Sequence, residues 1–258
     1  MPAYIVSKMK IFTYSISEYV KSDFMTKIVM LKLSGIAFLC LLLGFAWGYR
    51  QFVGPETAAI MQTDAGQVEA VHEERKKICL TFDDGPHPFY TEQLLDGLKE
   101  RKVKATFFVT GEHAELHPDI ILRMAEEGHE IGNHTYSHMQ LKSTNREAYK
   151  AELIRTSEVI EAITGNEVTY VRPPYGTWDK TLEQEVDLIQ VLWTVDPLDW
   201  CSDDAVCIAT NVIDKVQEND IILLHDYYES SVTAALRIVD ELLKEGFTFV
   251  TVEELLFD

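Results

Sequence analysis

An α/β fold with a mainly parallel sheet is predicted by three features of the chain from Lys76 onward. Short apolar runs recur, longer amphipathic stretches separate them, and polar residues gather just after the apolar runs. Strands alternating with helices bury a parallel sheet, open or closed into a barrel, and place chemistry at the C-terminal strand ends. The expected strands are 78–82, 105–110, 130–133, 170–172, 189–195, 221–224 and 247–252. Helices are expected near 91–101, 114–127, 145–164, 204–217 and 231–245. The helix at 145–164 is the clearest. Thr144 and Glu147 have the spacing of a capping box, Tyr149, Leu153, Ile160 and Ile163 make one apolar face, and Gly165 can close the end.

The chain has 258 residues, 47% of them hydrophobic and 25% charged, which is a globular composition. That length suits one domain of about 180 to 200 residues with an appendage. The net charge is −19, unevenly spread: Lys8, Lys10, Lys21, Lys27 and Lys32 against Glu18 and Asp23 give residues 1–49 a charge of +3 and leave −22 to the rest. A surface that acidic repels nucleic acid and anionic lipid, so no nucleic-acid partner is expected; its simplest use is solubility. Cys79 falls in a strand and is expected in the core, while Cys201 and Cys207 stand as two free thiols or as a bridge.

Residues 33–48 (LSGIAFLCLLLGFAWG, with Cys40 inside) are uncharged and apolar, and the run is just long enough to span a bilayer. Lysines precede it and acidic residues follow, which places 1–32 in the cytoplasm, a single-pass helix at 33–49, a polar stalk at 50–75 and a domain at 76–258 outside the membrane. No small-x-small site follows the run, favouring an uncleaved anchor over a removed signal that would release the domain. Met25 begins a conventional basic leader and is a candidate start.

Five polar segments sit at or beside the strand ends. In Thr81-Phe82-Asp83-Asp84-Gly85-Pro86, two adjacent carboxylates each need a donor, a cation or a metal, although Asp-Asp-Gly by itself is an ordinary turn. In Asn133-His134-Thr135-Tyr136-Ser137-His138, the His-x-x-x-His spacing suits one metal ion; with Asp84 it supplies two nitrogens and one oxygen and leaves a position for water. Arg172-Pro173-Pro174-Tyr175-Gly176 is a rigid loop whose arginine can keep a carboxylate ionised. Asp196-Pro197-Leu198-Asp199-Trp200 follows the fifth strand. Leu223-Leu224-His225-Asp226 ends the sixth, where a nearby carboxylate would hold a histidine protonated as a proton donor.

In this order and spacing the five segments resemble the polysaccharide deacetylase family with the NodB homology domain (carbohydrate esterase family 4), over roughly residues 76–258. The resemblance implies a distorted, incomplete (β/α) barrel. It implies that Asp83 is the general base, that Asp84, His134 and His138 bind one divalent metal, usually zinc with cobalt, manganese or nickel as alternatives, and that Arg172 positions Asp83. It further implies that the Tyr175 N–H stabilises the oxyanion, that His225 is the general acid tuned by Asp199, and that Trp200, Leu223 and Pro174 wall a pocket for the acetyl methyl. The implied reaction is hydrolysis of N-acetyl groups on an N-acetylglucosamine-containing polysaccharide, peptidoglycan or a chitin-like polymer. The alternatives are an O-acetyl polysaccharide esterase or a silent glycan-binding envelope protein. His87 follows the first turn and can line the cleft; Tyr227 and Tyr228 can stack on sugars or pack at the rim; His113, His117 and His129 read as surface or structural residues.

Overall fold

The structure, a computed structural model, describes residues 76–257. The expectations for 1–75 — cytoplasmic segment, span, stalk and Met25 start — lie outside the described residues, among which no helix is long and apolar enough to cross a membrane.

All seven expected strands form: β1 (Lys77–Asp83), β2 (Thr106–Val109), β3 (Glu130–Asn133), β4 (Tyr170–Val171), β5 (Ile189–Gln190), β6 (Ile221–His225) and β7 (Thr248–Val250). Their order is β5-β4-β3-β2-β1-β6, with β7 also on β1, and every pair is parallel. The expected strand at 189–195 breaks after Gln190. Its chain leaves β4 and crosses to the far edge of the sheet, where Val195 makes one parallel bridge to Ile222. Thr194 N and Leu223 N complete this seam, donating to Ile221 O and Val195 O. The sheet is therefore a curled, incomplete barrel, as the family resemblance implied.

The helices are α1 (Tyr90–Arg101), α2 (Gly111–Leu116), α3 (Pro118–Glu126), α4 (Arg146–Thr164), α5 (Glu183–Val186), α6 (Ala205–Ile213), α7 (Glu229–Lys244) and α8 (Val252–Phe257). Two expectations need correction. The single helix at 114–127 is two, because Pro118 cannot continue a helix but suits the first turn of a new one. The capping box at Thr144 does not form. Asn145 is the N-cap, and its side chain turns back into the preceding loop, accepting from Lys142 N and donating to Gln140 O. The far end behaves as read: Gly165 closes α4 at φ 72°, a left-handed conformation that suits glycine.

Strand alternation sorts side chains into two sets. Ile78, Leu80, Phe82, Phe107, Ile222 and Leu224 belong to the main core with Leu94, Leu95 and Leu98 of α1 and Ile238, Val239 and Leu242 of α7. Each such burial contributes about 1.5–3 kcal/mol. Cys79, Phe108, Tyr170 and Val191 form a second, inner cluster. Thr81 and Asp83 share the parity of Cys79, and Leu223 and His225 are their register partners on β6. One face of the sheet thus starts apolar and ends polar at its C-terminal rim.

Candidate active site

The rim converges as the sequence suggested. His134, just past β3, is buried, and its Nδ1 lies 2.6 Å from the carbonyl oxygen of Arg172. In the neutral ring, donation from Nδ1 leaves a lone pair on Nε2. That Nε2 stands 3.3 Å from Asp84 Oδ1, and His138 Nε2 stands at the same distance. Asp84 Oδ1 is buried and has no hydrogen-bond partner. An acceptor oxygen facing an imidazole lone pair is repulsive unless a cation lies between them, so this donor set fits a divalent metal. Asp84, His134 and His138 offer one ligand atom each, all within 4.8 Å of one another. Burial keeps His138 below the usual imidazole value, which favours the neutral, ligating form.

Asp83 borders this cradle. Arg172 Nη1 donates to Asp83 Oδ1 at 2.8 Å, while Oδ2 sits 3.9 Å from His134 Nε2. Arg172 is fully buried and fills the gap where β5 has left the barrel. Its Nε and Nη2 donate to Val191 O and Leu192 O, Nη1 also donates to Thr81 Oγ1, and the guanidinium lies 4.2 Å over the Phe108 ring. A charge in that position needs every one of these partners.

His225, the register partner of Asp83 on β6, borders the cradle too. Asp199, buried on a 3-10 turn (Asp199–Cys201), grips it twice: Oδ1 stands 2.8 Å from His225 Nδ1, and Oδ2 accepts from His225 N at 2.8 Å. The free Nε2 turns to the cradle, 4.0 Å from Asp84 Oδ2. Burial opposes protonation, but the hydrogen bond and charge of Asp199, with Asp83 and Asp84, push the imidazole up to about 9.

The remaining predicted residues surround the cradle. Tyr175 is the second residue of a 3-10 turn (Pro174–Gly176), with φ 60°, and a helical turn offers no internal partner to its first N–H groups. Its exposed ring lies edge-on to His138, 5.1 Å between centroids. Pro174 and Leu223 are buried, and Trp200 is 56% exposed beside Asp199. Cys201 and Cys207 are both free and exposed, and Cys79 is a buried thiol.

Several supporting residues were not singled out from sequence. Thr81 relays Arg172 to the sheet by donating to Ile222 O. His113, read only as surface or structural, places Nδ1 2.8 Å from the carbonyl of Asp84. Asp226 is fully buried. Thr91 Oγ1 donates to it and accepts from His87 N, so the pair ties down the loop that carries Asp84. Gly85 is required there, because a Cβ would run into both Asp226 carboxylate oxygens. Burial pushes the Asp226 carboxyl up to about 7. Only its place next to His225 marked it in the sequence.

A curled parallel sheet with a candidate cation cradle on its rim, bordered by an Asp–Arg pair and an Asp–His pair, defines a class of α/β proteins with a polar site at the C-terminal strand ends. The family model described as polysaccharide deacetylase matches residues 70–191. The chain is 40% identical over 187 residues to the peptidoglycan-N-acetylmuramic acid deacetylase PdaC of Bacillus subtilis, covering 72% of this chain and 40% of that protein. It is 39% identical over 187 residues to a peptidoglycan-N-acetylglucosamine deacetylase of Bacillus cereus, covering 69% of this chain and 67% of that one. The solved structure of B. subtilis PdaC superposes with a TM-score of 0.68 at 40% identity, covering 70% of this chain and 90% of that one. This chain belongs to the polysaccharide deacetylase family. It spans about two fifths of the length of the B. subtilis relative.

Proposed function

We propose that this protein hydrolyses N-acetyl groups on the amino sugars of peptidoglycan, with Asp83 as base and His225 as acid. The observation that carries the reading is that Asp83 and His225 both border the Asp84–His134–His138 cradle, Asp83 Oδ2 3.9 Å from His134 Nε2 and His225 Nε2 4.0 Å from Asp84 Oδ2, each locked by its own partner. The family match and the names of the relatives support the substrate class.

Asp84, His134 and His138 would hold a divalent cation, zinc in the first instance, which would supply Lewis-acid polarisation of the acetamide and a lowered pKa for water. Arg172 occupies one oxygen of Asp83, so the other oxygen receives the proton of the attacking water. The Tyr175 N–H faces the developing oxyanion. His225, protonated at neutral pH, gives its Nε2 proton to the departing amine, and Asp199 keeps that nitrogen aimed. Trp200, Leu223 and Pro174 enclose the acetyl methyl. Acetate and a free amino sugar leave.

The expected span at 33–49 would hold the domain on the outer face of the membrane, next to the wall. The test is acetate release by the purified full chain from peptidoglycan, N-acetylglucosamine oligomers and O-acetylated xylan, with and without a chelator. Chelator-sensitive release from peptidoglycan, restored by zinc, is expected. Release from xylan alone would make the protein an esterase, and no release from any substrate despite bound metal would make it a binding protein. Scoring glucosamine against muramic acid in the product distinguishes the two sugars named for the relatives.

A further inference from the structure

His134 and His138 share one turn, yet the two imidazoles are held by different means. His134 is fixed through its ring, whose Nδ1 lies 2.6 Å from the carbonyl oxygen of Arg172. Among the described residues no hydrogen bond reaches the His138 ring, which is half-buried and meets Tyr175 edge-on. The backbone between the two histidines therefore sets where His138 points. That backbone is strained. Thr135 has φ 63° and His138 φ 55°, both left-handed, and a β-branched threonine is a true outlier there. Such conformations persist only where surrounding groups over-determine the turn.

Three elements supply those groups. At the end of β3, Asn133 Oδ1 accepts from Thr135 N at 2.8 Å, and Asn133 Nδ2 donates to Leu153 O on α4 at 2.7 Å. From α2, Gly111 N and Glu112 N donate to Thr135 O and Tyr136 O, each at 3.0 Å. The middle of the turn is gripped from α4. Glu152 Oε2 accepts from Ser137 N at 3.0 Å and Oε1 accepts from Ser137 Oγ at 2.6 Å. One turn further along the helix, the Arg155 guanidinium lies 3.5 Å over the Tyr136 ring and donates to its hydroxyl at 2.7 Å. Ser137 is the residue directly before His138, so the carboxylate holds the last peptide group ahead of the ligand. A charged acceptor using both oxygens is among the strongest hydrogen-bond partners available to that pair of donors.

We propose that Glu152 is a positioning residue that holds His138 in ligating position through Ser137. It acts on the cradle from outside and ligates nothing itself. The proposal rests on the reading of Asp84, His134 and His138 as ligands to one cation, but its measurement does not depend on turnover. With Glu152 in place the strained turn is set before any ion arrives, so little ordering remains to oppose binding. Without it the turn is free to leave the left-handed region, and His138 is displaced while His134 stays tied to the Arg172 carbonyl.

The test is zinc affinity of the purified full chain, read by competition with a chromophoric chelator, together with the visible spectrum of the cobalt-substituted protein, which reports the ion's ligands. Glu152→Ala should weaken zinc binding by about tenfold or more, the effect of losing an outer partner of a ligand. Its cobalt spectrum should move toward that of His138→Ala. Glu152→Gln should restore most of the affinity, because its amide can accept from Ser137 N and donate to Ser137 Oγ. Unchanged zinc affinity in Glu152→Ala overturns the proposal. So does Glu152→Gln as weak as Glu152→Ala, since the carboxylate would then act only as a negative charge. Weaker binding with an unaltered cobalt spectrum overturns it too, because a merely loosened domain keeps the same ligands. Acetate release by the unsubstituted chain is scored separately. Zinc binding that depends on Glu152 without any release would sink the deacetylase reading and leave the clamp standing. Release with zinc binding independent of Glu152 would do the reverse.

Discussion

Replacing Asp199 with asparagine separates charge tuning from mere positioning of His225. The side chain keeps its shape, and its remaining oxygen can still accept from His225 N, now 2.8 Å away. The negative charge 2.8 Å from His225 Nδ1 is lost. That contact is the strongest influence raising the imidazole to about 9; burial works against it, and Asp83 and Asp84 add less. Without it, burial, the largest single influence, is opposed only by the two weaker carboxylates, and the imidazole falls below its present value. At pH 8 the acid form, about nine tenths of the enzyme at a pKa of about 9, is then depleted, by about tenfold for each unit that the pKa falls below the pH. At pH 6 the loss is smaller. The sign is fixed: a raised imidazole is useful below its pKa, so the variant's alkaline limb moves to lower pH. The assay is kcat/KM for acetate release across pH 5.5 to 9.5, with metal content checked at each end. An equal loss at pH 6 and pH 8 would refute the argument and mean that Asp199 acts through ring orientation alone.

Three further predictions follow from packing and charge. Arg172→Ala leaves Asp83 buried without its cation and should destabilise the domain by about 3–5 kcal/mol, read by thermal or urea unfolding; a near-normal midpoint would mean that water replaces the guanidinium. Asp83→Asn should retain metal by elemental analysis while lowering kcat by about 10²–10⁴, the range of a lost general base; wild-type turnover would remove Asp83 from the mechanism. Gly85→Ala pushes a methyl into the Asp226 carboxylate. It should cost at least about 1–3 kcal/mol and weaken metal retention by shifting Asp84, whereas a stable, metal-replete variant would show that the loop gives way freely.

Much of this site could be read before any coordinates because a parallel sheet makes strand ends coincide. Once 78–82 and 221–224 read as strands, Asp83 and His225 had to end neighbouring or nearby strands, and His134 and Arg172 followed by the same logic. The apolar runs were long enough to mark β1, β2 and β6, and Gly165 marked where α4 stops. What escaped had a tertiary cause. The run 189–195 is apolar apart from Gln190 and Thr194, and only the closing of the barrel decides that its first residues pair with β4 and its last with β6. Thr144 and Glu147 fit a capping box, yet Asn145 found better partners in the loop before it. Pro118 was visible, but one break inside an amphipathic stretch did not outweigh the periodicity around it. Thr91 and Asp226 are ordinary residues until folding buries them against each other.

The thinness of the seam at Val195 has a mechanical consequence. The cradle residues Asp84 and His134 follow strands joined by continuous ladders, whereas Asp199 and His225 hang from two chains joined by one bridge and a few amides. Breathing of the shell should therefore begin there, opening the grip on the proton donor while the cation's ligands stay assembled. In deuterium exchange, the amides of Thr194 and Leu223 should lose protection ahead of those of Phe107 and Phe108. The candidate metal ligands would then stay assembled through fluctuations that briefly release the proposed acid.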